Sequence, residues 1–274
     1  MKRLFVFLLS FPLWVSAATA GAEEKFDQLY RALNLPELIA VMRVEGLEYA
    51  EEISETLLQG RVIDDWGGMV EVIYDQTRME DELRAEMTAR MQDADFDALL
   101  GYYVGGAGEA IAKAELDARQ VLLSEEAEAE AHSLVDHMRQ VEDPRLEMLE
   151  RLEYLNHLID RNVTSALNSS YEFYYGLIDS GAIPGGMSES DVLREVWAQE
   201  PEIRQEVDRW IWAYHAIAYE DLTDDDVLGY IAFSKTEEGK ALFTVLFESF
   251  DTVFRRISRE LGLTTGGFLV SEEI

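Results

Sequence analysis

From Gly239 onward, apolar side chains fall at Leu242, Leu246, Phe250, Val253, Ile257 and Leu261, every third or fourth position. Only an α-helix places residues with that spacing on one face, and a stripe this long must be buried against other helices. The same period recurs upstream. Leu38, Met42, Tyr49, Ile53 and Leu57 predict one long helix, and Leu152, Leu155, Ile159, Val163, Leu167, Tyr171 and Tyr174 predict another. No stretch alternates apolar and polar residues for long enough between turn signals to form a sheet. The expected fold class is all-α, a helical bundle.

Start and stop signals divide the pattern. Asn34-Leu-Pro-Glu37 reads as a capping box opening a helix toward Gln59-Gly60, and Trp66-Gly-Gly-Met69 reads as a break before helix resumes over residues 70–91. Asp93 or Asp95 can cap a short helix through Phe96, Leu99, Leu100 and Tyr103, which Gly105-Gly-Ala-Gly108 interrupts. Residues 109–141 read as one long helix whose middle, residues 124–131, is nearly all Glu and Ala. Such a run forms helix readily but has little to bury, so it is expected to be an exposed connector. Asp143-Pro144 restarts the chain. Ser188-Glu-Ser-Asp191 is a second capping box, Glu200-Pro201 separates two helices, and Thr223 caps the next. Gly262 is expected to end the last helix and leave a loose tail over residues 263–274.

The two halves overlay in three blocks. Residues 29–53 lie on 149–173, residues 70–87 on 194–211, and residues 93–122 on 224–253. The offset grows from block to block, as loop insertions that leave the packed elements intact would make it. The expected organisation is a first helical repeat over residues 21–140, including the acidic connector, and a second over 141–262, packed on each other.

The corner of the third block carries a resemblance. Phe233-Ser-Lys-Thr236-Glu-Glu-Gly239 and Tyr102-Tyr-Val-Gly105-Gly-Ala-Gly108 resemble the aromatic-aromatic-x-Ser-Pro-x-Gly signature of an exported bacterial family catalogued as domain of unknown function 2059, here in two tandem copies. In the second copy Thr236 stands for Ser, Glu237 for Pro and Ser234 for the second aromatic; the first copy keeps both aromatics and the Gly but lacks Ser and Pro. The resemblance implies an all-helical periplasmic domain and brings no catalytic residues. On physical grounds Tyr102, Gly105, Gly108, Phe233, Thr236 and Gly239 are expected to build helix corners. Thr236 can cap the following helix, and Gly239 allows the preceding one to double back closely.

Residues 1–20 combine a basic head, an apolar run from Leu4, and Ala18-Thr-Ala20 at the spacing a signal peptidase accepts. They are expected to be a cleaved signal peptide, giving a periplasmic or secreted protein that is not integral to the membrane. The chain has 23 Lys and Arg against 55 Asp and Glu, a formal charge of -32, and loses Lys2 and Arg3 with the signal. Nucleic acid is therefore excluded as a partner, because binding it requires basic side chains to neutralise phosphates. There is no cysteine, so thiol chemistry and disulfides are excluded.

Two constellations could bind something. Tyr171, Tyr174, Trp210, Tyr214 and His215 concentrate aromatic and polar groups that could line a groove for a small apolar ligand, or else be core. Glu128, His132 and Asp136 fall four apart on the acidic connector and could ligate a metal, or else be a solvated face. No nucleophile elbow, zinc-protease motif, phosphate loop or dinucleotide fingerprint is present, and no cofactor is expected. The sequence favours a non-enzymatic module binding a protein partner or an apolar ligand. A metal-dependent enzyme or cation-binding protein built on the connector is the alternative.

Overall fold

The computed structural model describes residues 15–58, 65–183 and 185–271, and the first fourteen residues of the expected signal peptide lie outside them. Among the described residues the chain is all helix and turn. The helices are α1 (Val15–Ala32), α2 (Leu35–Leu57), α3 (Trp66–Ile73), α4 (Gln76–Arg90), α5 (Phe96–Tyr103), α6 (Ala107–Val121), α7 (Glu125–Gln140), α8 (Arg145–Asn156), α9 (Leu158–Asp179), α10 (Glu189–Ala198), α11 (Glu200–Ala218), α12 (Asp224–Phe233) and α13 (Glu237–Ser271).

The joints explain why the chain breaks where it does. Asn34 does not cap α2 with its side chain; its backbone is left-handed at φ 53°, turning the chain sharply between α1 and α2. Asn tolerates that conformation better than most residues, so the local signal was right and its role wrong. His157 takes the same conformation, φ 51°, and splits the expected long helix into α8 and α9. The Trp66-Gly-Gly-Met69 stretch is not a break. It forms the first turn of α3, with Trp66 buried, and the break falls at Asp75, whose carboxylate accepts from the Arg78 amide at 2.8 Å to start α4. Asp95, Ser188 and Thr223 cap α5, α10 and α12; Thr223 and Asp226 complete a capping box, whereas at Ser188 the Asp191 carboxylate accepts from the Ser188 hydroxyl instead of its amide.

The acidic stretch is likewise not an exposed connector. Ser124 divides residues 109–141 into α6 and α7, and α7 buries Ala131, Val135 and Met138 against α11 and its surroundings. Its Glu-rich face is solvated, while alanines supply a thin apolar stripe that lets helices approach closely. On α2 the buried side is Leu35, Ile39, Met42, Ala50 and Ile53, while Tyr49 and Leu57 lie in solvent, 53% and 42% exposed.

Helix α13 is the spine. Its stripe is buried as expected at Leu242, Val253, Ile257 and Leu261, and the helix contacts α2, α3, α4, α5 and α9. One apolar core joins residues from both halves of the chain, from Leu29 and Leu83 to Ile231 and Leu261. Ionic contacts tie the same halves together. Arg78 grips Glu260 with both terminal guanidinium nitrogens, and Arg256 donates to Glu82 at 2.8 Å and to the Ile73 carbonyl at 2.9 Å. Gly262 does not end α13, and the expected loose tail is helical through Ser271, with Thr265 and Gly266 buried. The reason lies in α9: a Cβ at Gly262 would run into the Phe173 carbonyl, and one at Gly266 into Ser180. Both glycines are there for close packing rather than termination.

The corners are as expected. The Thr236 hydroxyl accepts from the Gly239 amide at 3.0 Å, and a Cβ at Gly239 would strike the Phe233 carbonyl. At the other corner Gly105 sits at φ 81° and Gly108 faces the Tyr102 carbonyl. The Glu109 carboxylate accepts from the Gly105 amide at 2.8 Å, so the corner's own side chain occupies the position an anion would need. Tyr102 and Phe233 stack on each other with ring centroids 3.9 Å apart and planes parallel.

Candidate functional site

Helices α9 and α13 run parallel, in register along their length. Arg161 reaches Thr244 at 3.3 Å, Asn168 reaches Asp251 at 3.0 Å, and Arg255 reaches Glu172 at 2.9 Å. Toward the C-termini the backbones meet at Gly176 and Gly262. Toward the N-termini α11 closes a third side, and Phe243, Phe247, Phe250 and Phe254 of α13 line the space so bounded. Between the three helices, with α6, α8 and α12 beneath, lies a cavity of about 610 Å³.

Its walls are of two kinds. Phe243, Phe247, Phe250 and Phe254 of α13, with Ile211 and Trp210 of α11, supply the apolar surface. Asn162, Ser165 and Ser169 of α9 face it with short polar side chains. These are too small to fill the space, which is why α9, twenty-two residues long, fully buries only Val163 and Gly176.

At the floor is Glu115 of α6. It is half-buried and lines the cavity. The Tyr219 hydroxyl donates to its carboxylate at 2.6 Å, and Tyr230 lies beside it as a further hydroxyl donor. The Tyr214 hydroxyl donates to the Glu115 backbone carbonyl at 3.2 Å. Desolvation pushes the Glu115 carboxyl above its ordinary range, and the tyrosine hydrogen bonds only partly oppose this. The same burial, with the neighbouring carboxylate, raises the phenols of Tyr214, Tyr219 and Tyr230, so all three remain neutral donors.

One turn along α6, Arg119 lines the cavity too, but its charge is committed. It holds Glu45 of α2 through two hydrogen bonds of 2.9 and 2.7 Å and lies over the Trp210 ring at 5.3 Å. His215 is 2% exposed and stacks on Tyr219 at 5.4 Å. Its burial lowers its pKa to about 4, which keeps the imidazole neutral at ordinary pH.

Of the residues singled out by sequence, Trp210, Tyr214 and His215 line this cavity, and Tyr171 and Tyr174 do not. Tyr171 packs on Tyr175 at 4.7 Å on the other side of α9, beside Glu189. Tyr171 and Trp210 belong to helices that meet, but helical periodicity turns the two rings away from a common space.

The metal triad does not assemble either. Glu128 and His132 approach to 3.4 Å and line a surface cleft, whereas Asp136 is 80% exposed on its side chain and turns toward Arg139. Residues eight apart on a helix are separated by about 12 Å of rise and rotated by roughly 80°, so a single ion cannot reach all three. Among the described residues no group of three or more His, Asp or Glu is placed to hold a metal ion.

Sequence reasoning missed Glu115, Tyr230 and the phenylalanine wall. A signal for Glu115 was present: it falls on the same face as Ile111, Ala112 and Ala118, a carboxylate within an apolar stripe. The wall was hidden because Phe243, Phe247 and Phe254 flank the α13 stripe and read as its margin.

Compared with known proteins, the chain matches no family model, no curated protein and no solved structure.

Proposed function

We propose that the protein is a non-enzymatic binding module that takes a small, largely apolar organic molecule into the cavity between α9, α11 and α13. The observation that carries this is the cavity itself. About 610 Å³ falls within the range typical of small-molecule sites, and an apolar wall facing a few convergent polar groups is the usual chemistry of such sites. The wall would cover the ligand's body, and Glu115 with the Tyr219 and Tyr230 hydroxyls would fix its polar end. The scattered connector ligands give the metal-dependent alternative no support.

A titration with the neutral fluorescent dye N-phenyl-1-naphthylamine tests the reading. The wild type is expected to take up one dye per chain, and Ala166→Trp, which puts an indole into the cavity, is expected to take up none while keeping its helical circular dichroism. Equal uptake by both, or none by either, refutes it.

The exported location and the duplicated, family-like origin belong to the same proposal. Export rests on the composition of residues 1–20, and N-terminal sequencing of protein from a periplasmic fraction should begin near Gly21. Duplication is supported by paired features at matching places: the corners in which Gly108 and Gly239 face the carbonyls of Tyr102 and Phe233.

A further inference from the structure

We infer that the cavity takes an organic cation, an amine or quaternary ammonium carrying an apolar tail, with its charge seated against Glu115 among the rings of Tyr214, Tyr219 and Tyr230. This rests on the reading of the cavity as a ligand site and names the ligand's chemistry.

The first support is a carboxylate without a counter-charge. Glu115 accepts hydrogen bonds from phenols only. The nearest guanidinium on its helix, Arg119, is held in a two-pronged pair with Glu45 and covered by Trp210. His215, the other nitrogen base in the cavity, is neutral. A buried carboxylate is costly until a cation joins it, so a cationic ligand gains what a neutral one cannot. Its upward pKa displacement expresses the same deficit.

The second support is the material of the walls. Aromatic faces attract a cation most strongly when water is excluded, and tyrosine and tryptophan do so better than aliphatic side chains. Tyr214 and Trp210 stack in parallel, 5.0 Å apart, and Tyr219 and Tyr230 meet edge to face at 6.4 Å around the Glu115 end. Aliphatic side chains would serve a neutral hydrocarbon equally well, and the choice of rings is what a cation adds.

The third support is the approach. Glu206 and Trp210 border both the cavity and an outer cleft lined by Glu125, Glu128 and Glu202, with Arg209 and His132 as the basic side chains set among them. On a chain of formal charge -32, this acidic path concentrates cations and turns anions away before they reach the cavity.

Calorimetry on the full chain with three probes of equal tail length decides the matter: octyltrimethylammonium, 1-octanol and octanoate, at an ionic strength of about 0.15 M to screen the surface charge. The cation is expected to bind once per chain, at least about tenfold tighter than octanol, with octanoate weakest. Glu115→Gln, with folding read by its helical circular dichroism, should reduce the cation's advantage over octanol to about threefold or less. Should Glu115→Gln not fold, Glu206→Gln decides, with the cation expected about threefold weaker and octanol unchanged. Octanol or octanoate binding as tightly as the cation, or a preference untouched by these substitutions, overturns the inference. If octanol binds at a site that Ala166→Trp abolishes and no cation preference appears, the cavity remains a ligand site and only its charge selectivity falls. If no probe binds, both fall.

Discussion

Helices α9 and α13 make two different contacts along one shared length. At Gly176 and Gly262 their backbones touch, and toward the N-termini they line, with α11, a cavity of about 610 Å³. The distance between packed helices is set by the side chains at the contact. Glycine on both partners allows the closest approach at one end, whereas at the other α13 turns four phenylalanines to the cavity. What keeps that end empty is the partner face: Asn162, Ser165 and Ser169 are short and polar where leucine would have filled the gap. The closed end is a packing solution, and the open end has the composition of a binding site.

The largest expected effect breaks the closed end. Gly262→Leu forces a side chain into the Phe173 carbonyl and should destabilise by about 3 kcal/mol, lowering Tm by roughly 6–12 °C in a thermal melt. Ala166→Leu at the open end has room and should leave Tm unchanged or slightly higher. Equal losses would erase the distinction between the two ends. At the corner of α13, Gly239→Leu meets the Phe233 carbonyl and should also lower Tm.

Next in size is the acid response of His215. Its folded pKa lies at about 4, below the ordinary 6.5, so its contribution to stability is complete above the ordinary value and is lost as pH falls through the folded one. Urea unfolding between about pH 7 and about pH 4.5 should show a loss of at most ~3 kcal/mol that His215→Phe reduces. An identical slope in the variant would mean that the imidazole is not held neutral by the packing around α11.

Glu115 titrates in the opposite sense. Its folded pKa is raised, so its contribution is complete below the ordinary carboxyl value and is lost as pH rises through the folded one. Glu115→Gln should therefore stabilise the ligand-free protein, more at about pH 8 than at about pH 5, as read by the urea midpoint. A destabilised variant at the higher pH would show that the carboxylate is already compensated and would remove the reason for a cationic ligand.

The smallest effect compares the two corners. Tyr102 carries a buried hydroxyl with no hydrogen-bond partner among protein atoms, where Phe233, stacked on it, has none to satisfy. Tyr102→Phe should stabilise by about 1 kcal/mol in chemical denaturation.

Much of the fold was legible because it depends on periodicity and local caps. The α13 stripe, the Asp95, Ser188 and Thr223 caps and the Thr236–Gly239 corner are as the sequence predicts. Errors arose where one residue type serves two purposes. Gly262 and the Gly67-Gly68 pair read as breaks, yet Gly262 is a contact point and the pair lies in the first turn of α3. Asn34 and His157 turn the chain by a left-handed backbone, a conformation that residue type favours only weakly and does not by itself announce. The site was half legible for a related reason. Trp210, Tyr214 and His215 stood out as a cluster on one helix, but the cavity also needs Glu115, Tyr230 and the α13 phenylalanines, and only three-dimensional packing brings those together.

The most direct test is a crystal structure of the full chain with a bromine-tailed octyltrimethylammonium, locating the bromine by its anomalous signal. The expected result is a single bromine among Phe243, Phe247 and Phe250, with the trimethylammonium head turned toward Glu115 and the Tyr219 and Tyr230 hydroxyls. Bromine found only on the acidic surface, with the space between α9, α11 and α13 free of probe, would contradict the assignment of that space as the ligand site.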